Sequence, residues 1–152
     1  MTNFNKTMDY FRKLYRAHRH ISIVEAGEFY WLIEGYTVHK VPKDCMELNP
    51  SIFDEFTADF EKILSGAESG VPLKSTGLIR KKNSYDAIIP YVSELEDPFT
   101  VWFAQKLLDT FDPGFSLKCG SPLSPSAVQY RGETAGIILP VRCQDIDIRP
   151  FL

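Results

Sequence analysis

The chain has no apolar run near the ~20 residues that a membrane-crossing helix needs. Its opening, MTNFNKTMDYFRKLYR, carries no apolar signal-peptide core. A soluble, cytoplasmic protein without membrane contact is the expectation. Cysteine is scarce: Cys45, Cys119 and Cys143 are widely spaced and form no CxxC. Three such residues make a poor disulfide framework. Cys119 and Cys143 fall in apparent strands and are expected as buried free thiols. Walker loop, dinucleotide fingerprint, G-x-S-x-G elbow and HExxH are all missing. His18 and His20 form an HxH with no cysteine or carboxylate beside them, so neither a metal nor a cofactor is expected. His39, Cys45 and Asp54 make a cysteine-type triad only on paper, because Asp44 and Glu47 beside Cys45 oppose a thiolate. An excess of positive charge is lacking too: 17 Lys and Arg stand against 20 Asp and Glu, a net −3. Nucleic-acid contact would therefore need basic residues gathered locally.

What is present suits one domain over residues 1–152, with 44% hydrophobic residues to build a core. Phe4, Met8, Phe11, Leu14 and Tyr15 recur at helical spacing and predict a helix over 4–17, capped by Asn3 or Asn5. Its other face carries Lys6, Arg12, Lys13 and Arg16, with Arg19 just beyond. Residues 21–42 alternate as strands, with turns at Ala26-Gly27 and Glu34-Gly35. Asn49-Pro50 opens a second predicted helix over about 50–65, which Gly66 would end. Its outer face is acidic, with Asp54, Glu55, Asp59 and Glu61. Residues 67–76 read as a loop, 78–82 and 86–92 as strands about an Asn83-Ser84 turn. Asp97-Pro98 starts a third predicted helix through Phe111, which Asp112-Pro113-Gly114 stops. Strands over 115–119, 127–131 and 135–141 complete an α+β order without strict βαβ alternation. Trp31, Phe103, Leu107, Leu117 and Ile138 are the predicted core.

The segment Leu107 to Cys143 has the most specific residue order. Leu107-Leu108-Asp109 is followed by Gly120-Ser121-Pro122-Leu123-Ser124-Pro125 and by Leu139-Pro140-Val141-Arg142. These pieces resemble the end of a bacterial sliding-clamp domain, from the ring-shaped processivity factor of DNA polymerase. Glu34-Gly35-Tyr36-Thr37-Val38-His39-Lys40-Val41-Pro42 is similar to an earlier strand–turn–strand motif of that family, with Glu where Asp is usual. The likeness is clear over about residues 99–142 and faint over 21–42. It implies a DNA-clamp-like domain of antiparallel sheets with two packed helices; the helix over about 50–65 then reads as an insertion at about 43–70, and residues 143–152 as a C-terminal tail.

The same resemblance implies a non-enzymatic binding module in DNA replication, repair or mobile-element biology. Lys6, Arg12, Lys13, Arg16 and Arg19 become candidates for non-specific contact with duplex phosphates. A solvated helix face is the alternative. Leu123, Ile137, Leu139, Pro140, Val141 and Arg142 become candidates for a groove that docks short peptides of replication or repair proteins. Burial in an edge strand is the alternative there. A clamp-folded adaptor that binds protein without touching DNA is the second functional reading. A ring would require a homo-oligomer of six single-domain chains. Gln144-Asp145-Ile146-Asp147-Ile148 looks like a clamp-docking peptide (Gln, spacer, Leu, Asp or Ser, Leu, Phe), with a plain strand extension as the other reading.

Overall fold

The computed structural model describes residues 4–81 and 87–142. In chain order it holds α1 (Asn5–Arg16), β1 (Ser22–Ala26), β2 (Phe29–Ile33), β3 (Thr37–Pro42), β4 (Asp54–Glu55) and α2 (Phe60–Glu68). These are followed by β5 (Val71–Ser75), β6 (Arg80–Lys81), β7 (Ala87–Ser93), β8 (Thr100–Ala104) and α3 (Gln105–Leu108). Last come β9 (Ser116–Cys119), β10 (Ser126–Tyr130) and β11 (Glu133–Ile138). The fold is α+β, and the described residues build one eleven-stranded sheet.

From one edge the sheet runs β4, β1, β2, β3, β11, β10, β9, β5 and β7. β4 pairs parallel to β1; the other named strand pairs are antiparallel. β5 and β6 lie end to end along one side of β7, where Ser75 faces Tyr91 and Arg80 faces Ile88. β8 takes the other side, with Val101 opposite Tyr91. The far edge of β8 does not stay open. Trp102 bridges to Val141, in the segment that continues from β11. The strands from β11 round to β8 therefore close on themselves, which removes an edge that would otherwise invite pairing.

Inside this closure lies the main core. Leu73, Val101, Phe103, Leu117, Cys119, Val128 and Ile138 fill it from the strands, with Leu107, Leu108 and Phe111 from α3 and its exit. The two long helices cover opposite faces of the rest of the sheet. Leu32 of β2 packs with Met8 and Phe11 of α1. Its neighbours Trp31 and Ile33 pack with Phe60 and Ala67 of α2. Strand β2 (FYWLI) is apolar on both sides because both sides are covered. All five predicted core residues are buried.

Several elements depart from the sequence reading. Asn49 caps only one 3₁₀ turn, Pro50–Ile52, accepting from Ser51 N at 3.1 Å. The helix starts at Phe60, where Asp59 accepts from Lys62 N at 3.2 Å, and passes through Gly66 to Glu68. The reason is a division of labour. Phe53 packs in the α1 cluster and Phe56 in the α2 cluster, and one helix cannot send both to opposite faces of a sheet. α2 is one of the two long helices that cover the sheet. The third predicted helix is mostly strand β8. Val101 and Phe103 point into the closed core while Trp102 joins Ile88 and Val92 outside, a period of two. Only one helical turn remains, α3. Residues 71–75, read as loop, pair with both β7 and β9. Tyr15 leaves the apolar stripe of α1 and is 47% exposed. At the start of α1, Phe4 holds the cap position without a side-chain cap bond, and Asn3 lies outside the described residues. The Asn83-Ser84 turn, Cys143 and the peptide-like tail also lie outside them. The last hairpin turns at Arg131 and Gly132, both at positive φ, as a two-residue turn demands.

Candidate functional site

The segment after β11 organises the surface. Leu139 N donates to Tyr36 O at 3.0 Å, and Val141 N donates to Trp102 O at 2.7 Å. Pro140, between them, has no N–H to place. The chain thereby crosses from the edge of β3 to the edge of β8, leaving a depression on each side of Leu139.

The first depression is a small apolar groove of ≈ 140 Å³. Pro125 from the proline-rich corner and Ile137 and Leu139 from the last strand line it, facing Phe60, Ile63 and Val38. The second is a larger cleft of ≈ 670 Å³ between α1, β7 and the β8–α3 corner. Leu14, Ile88, Ala104, Leu107, Leu139 and Val141 give it apolar walls, and Arg19 and Lys106 also border it.

The ridge between groove and cleft is the β2–β3 turn. Glu34, only 8% exposed, accepts from Tyr36 N and Thr37 Oγ1 at 2.9 Å each through Oε1. Tyr10 from α1 reaches the same carboxylate. Burial, and then the charge of Glu34, push its hydroxyl up to about 12, so it stays protonated. Tyr36 itself is 53% exposed.

Behind the cleft, His39 joins α1 to the exit of α3. Its ring stacks on Phe111, with centroids 4.1 Å apart, and meets the edge of Phe11. His39 Nε2 lies 3.1 Å from Thr110 Oγ1, and that hydroxyl donates to Leu107 O at 2.6 Å. The threonine proton is therefore used, and His39 Nε2 is the protonated nitrogen. Burial lowers the His39 pKa to about 3.

The groove candidates are partly gathered. Ile137 and Leu139 line the groove, and Leu139, Pro140 and Val141 line the cleft. Leu123 is 53% exposed on the corner and borders neither, and Arg142 is exposed beyond Val141. The basic candidates are more dispersed. Lys13, Arg16 and Arg19 are exposed. Lys6 Nζ reaches Phe111 O at 3.4 Å. Arg12 pairs with both Asp9 and Glu47, which neutralise it. His39, Cys45 and Asp54 do not converge: His39 is buried on Thr110, Cys45 is exposed and Asp54 pairs with His20 at 2.9 Å. Sequence reasoning missed Tyr10, Tyr36 and Lys106. Tyr10 lies off the apolar stripe of α1, and nothing local marks Lys106 as bordering a cleft with Arg19.

Among the described residues, no helix is long and apolar enough to cross a membrane. No family model, curated protein or solved structure matches the chain, so its own geometry is the ground for a functional reading.

Proposed function

We propose that the protein is a non-enzymatic binding module that captures a short segment of a partner protein. One aliphatic or aromatic anchor of that segment enters the groove between the proline corner and the last strand. This is the adaptor form of the sliding-clamp resemblance, with a clamp-like domain used for protein contact. The observation that carries it is the groove itself, where Pro125, Ile137 and Leu139 meet over Phe60 and Ile63. Its ≈ 140 Å³ suits a single side chain, since an apolar cavity of about 150 Å³ takes a benzene-sized group. Anchors of this kind dominate peptide docking.

A labelled peptide reading Gln-Ala-Leu-Asp-Leu-Phe tests the reading by fluorescence anisotropy. Binding is expected, and Ile63→Glu or Leu139→Asp should weaken it by at least about tenfold. Leu139 is 37% exposed, and its bond to Tyr36 O comes from its backbone N, which aspartate keeps. No binding at millimolar peptide, or equal binding by both variants, refutes the groove.

Exposed Lys13, Arg16 and Arg19 favour a second reading, weak sequence-independent contact with duplex DNA. Against it stand the pairing of Arg12 and the reduction of α3 to four residues. Light scattering with and without duplex at low salt decides it. Binding that is lost on raising the salt, and lost in Lys13→Glu with Arg16→Glu, supports DNA contact, and a hexamer in the same measurement supports a ring. A monomer unchanged by duplex rejects both.

A further inference from the structure

We propose that the cleft between α1 and the β8–α3 corner binds an aliphatic monocarboxylate, its chain against the apolar walls and its head between Arg19 and Lys106. The inference rests on a different cavity from the peptide groove and stands or falls separately. At ≈ 670 Å³ the cleft lies within the range of small-molecule sites, which run from about 300 to about 1,000 Å³. Its walls suit such a site, with aliphatic residues beside a smaller number of polar and charged ones.

Charge decides the class of ligand. Arg19 and Lys106 are both exposed, and among the described residues neither makes an ion pair or a side-chain hydrogen bond. They come from separate elements, the loop after α1 and the single turn of α3, and border one cavity. The carboxylate that lines this cleft among the described residues, Glu34, is buried and turned into its own β-turn, where Tyr36 N and Thr37 Oγ1 hold it. Among the described residues it forms no ion pair with either cation. A single carboxylate accepts charge-assisted hydrogen bonds from both. A neutral lipid leaves them unused, and a cationic amphiphile is repelled.

The test is calorimetric titration of the full chain with decanoate below its micelle concentration, beside decanol and decyltrimethylammonium. One decanoate per chain should bind, more tightly than decanol, and the cation not at all. In the double variant Arg19→Gln, Lys106→Gln decanoate should bind at least about tenfold more weakly while decanol is unchanged. Both side chains are exposed, so the variant should keep the wild-type melting temperature. Ile63→Glu, which blocks the peptide groove, should leave decanoate binding intact and so separates the two ideas. Three results overturn the proposal: no decanoate binding, decanol binding as tightly as decanoate in the wild type, or a double variant that binds decanoate like the wild type.

Discussion

Lowering the pH from about 7 to about 5 should cost about 2 kcal/mol of stability through His39 alone. In the folded chain its ring lies between Phe111 and the edge of Phe11, with Nε2–H on Thr110, and burial holds its pKa near 3 against an ordinary value of 6.5. Between those values the unfolded chain binds the proton and the folded chain does not. Stability is thus fully present above pH 6.5 and falls as the pH falls toward 3. The slope is about 1.4 kcal/mol per pH unit. Urea unfolding followed by circular dichroism across this window, for wild type and His39→Gln, isolates the effect. Glutamine keeps an amide donor for Thr110 but does not titrate. The exposed His20–Asp54 pair is common to both proteins and cancels. A wild-type-minus-variant difference that is flat with pH refutes the buried, neutral assignment. So does an imidazole NMR signal of His39 that titrates near 6.5.

Three further outcomes follow from packing. Gly136→Ala should destabilise by about 1–3 kcal/mol or more, read by urea unfolding, because a Cβ there meets the Val38 carbonyl oxygen and the Phe111 ring. Asp59→Ala removes the cap on Lys62 N and should lower stability by about 0.5–2 kcal/mol, a loss that Asn restores. Leu107→Ala should cost about 2–5 kcal/mol in the same assay, since Leu107 is buried in the main core.

Where short runs of β-branched and aromatic residues lie between turn residues, the sequence predicted the fold well. The strands of residues 21–42 and the last three strands are such runs, and turns beside them carry Gly27 and Gly132 at positive φ. The misreadings fall where one segment serves two cores. Phe53, Phe56 and Phe60 mimic a helical stripe but divide between the α1 and α2 clusters. Trp102 and Phe103 look helical after Asp97-Pro98, yet they face opposite sides of β8. Pro72 disguised β5 as a loop, although its carbonyl still accepts from Glu94 N at 3.0 Å. The site was legible in part. Leu139 and Ile137 were singled out only through the sliding-clamp resemblance, whereas Lys106 and Tyr10 reach the cleft only through tertiary contacts.

Leu139-Pro140-Val141 reads as the plain end of a strand, but its residues serve two edges in turn. Leu139 is the last to bond toward β3 and Val141 the first to bond toward β8, and the proline between them has no donor to commit to either. This handover closes the sheet and, by the same step, opens the groove on one side of Leu139 and the cleft on the other. The two cavities are thus consequences of closure. A substitution that breaks the Val141–Trp102 bridge should disturb the cleft first. The groove, held by Ile137 within β11 and by Phe60 of α2, should persist.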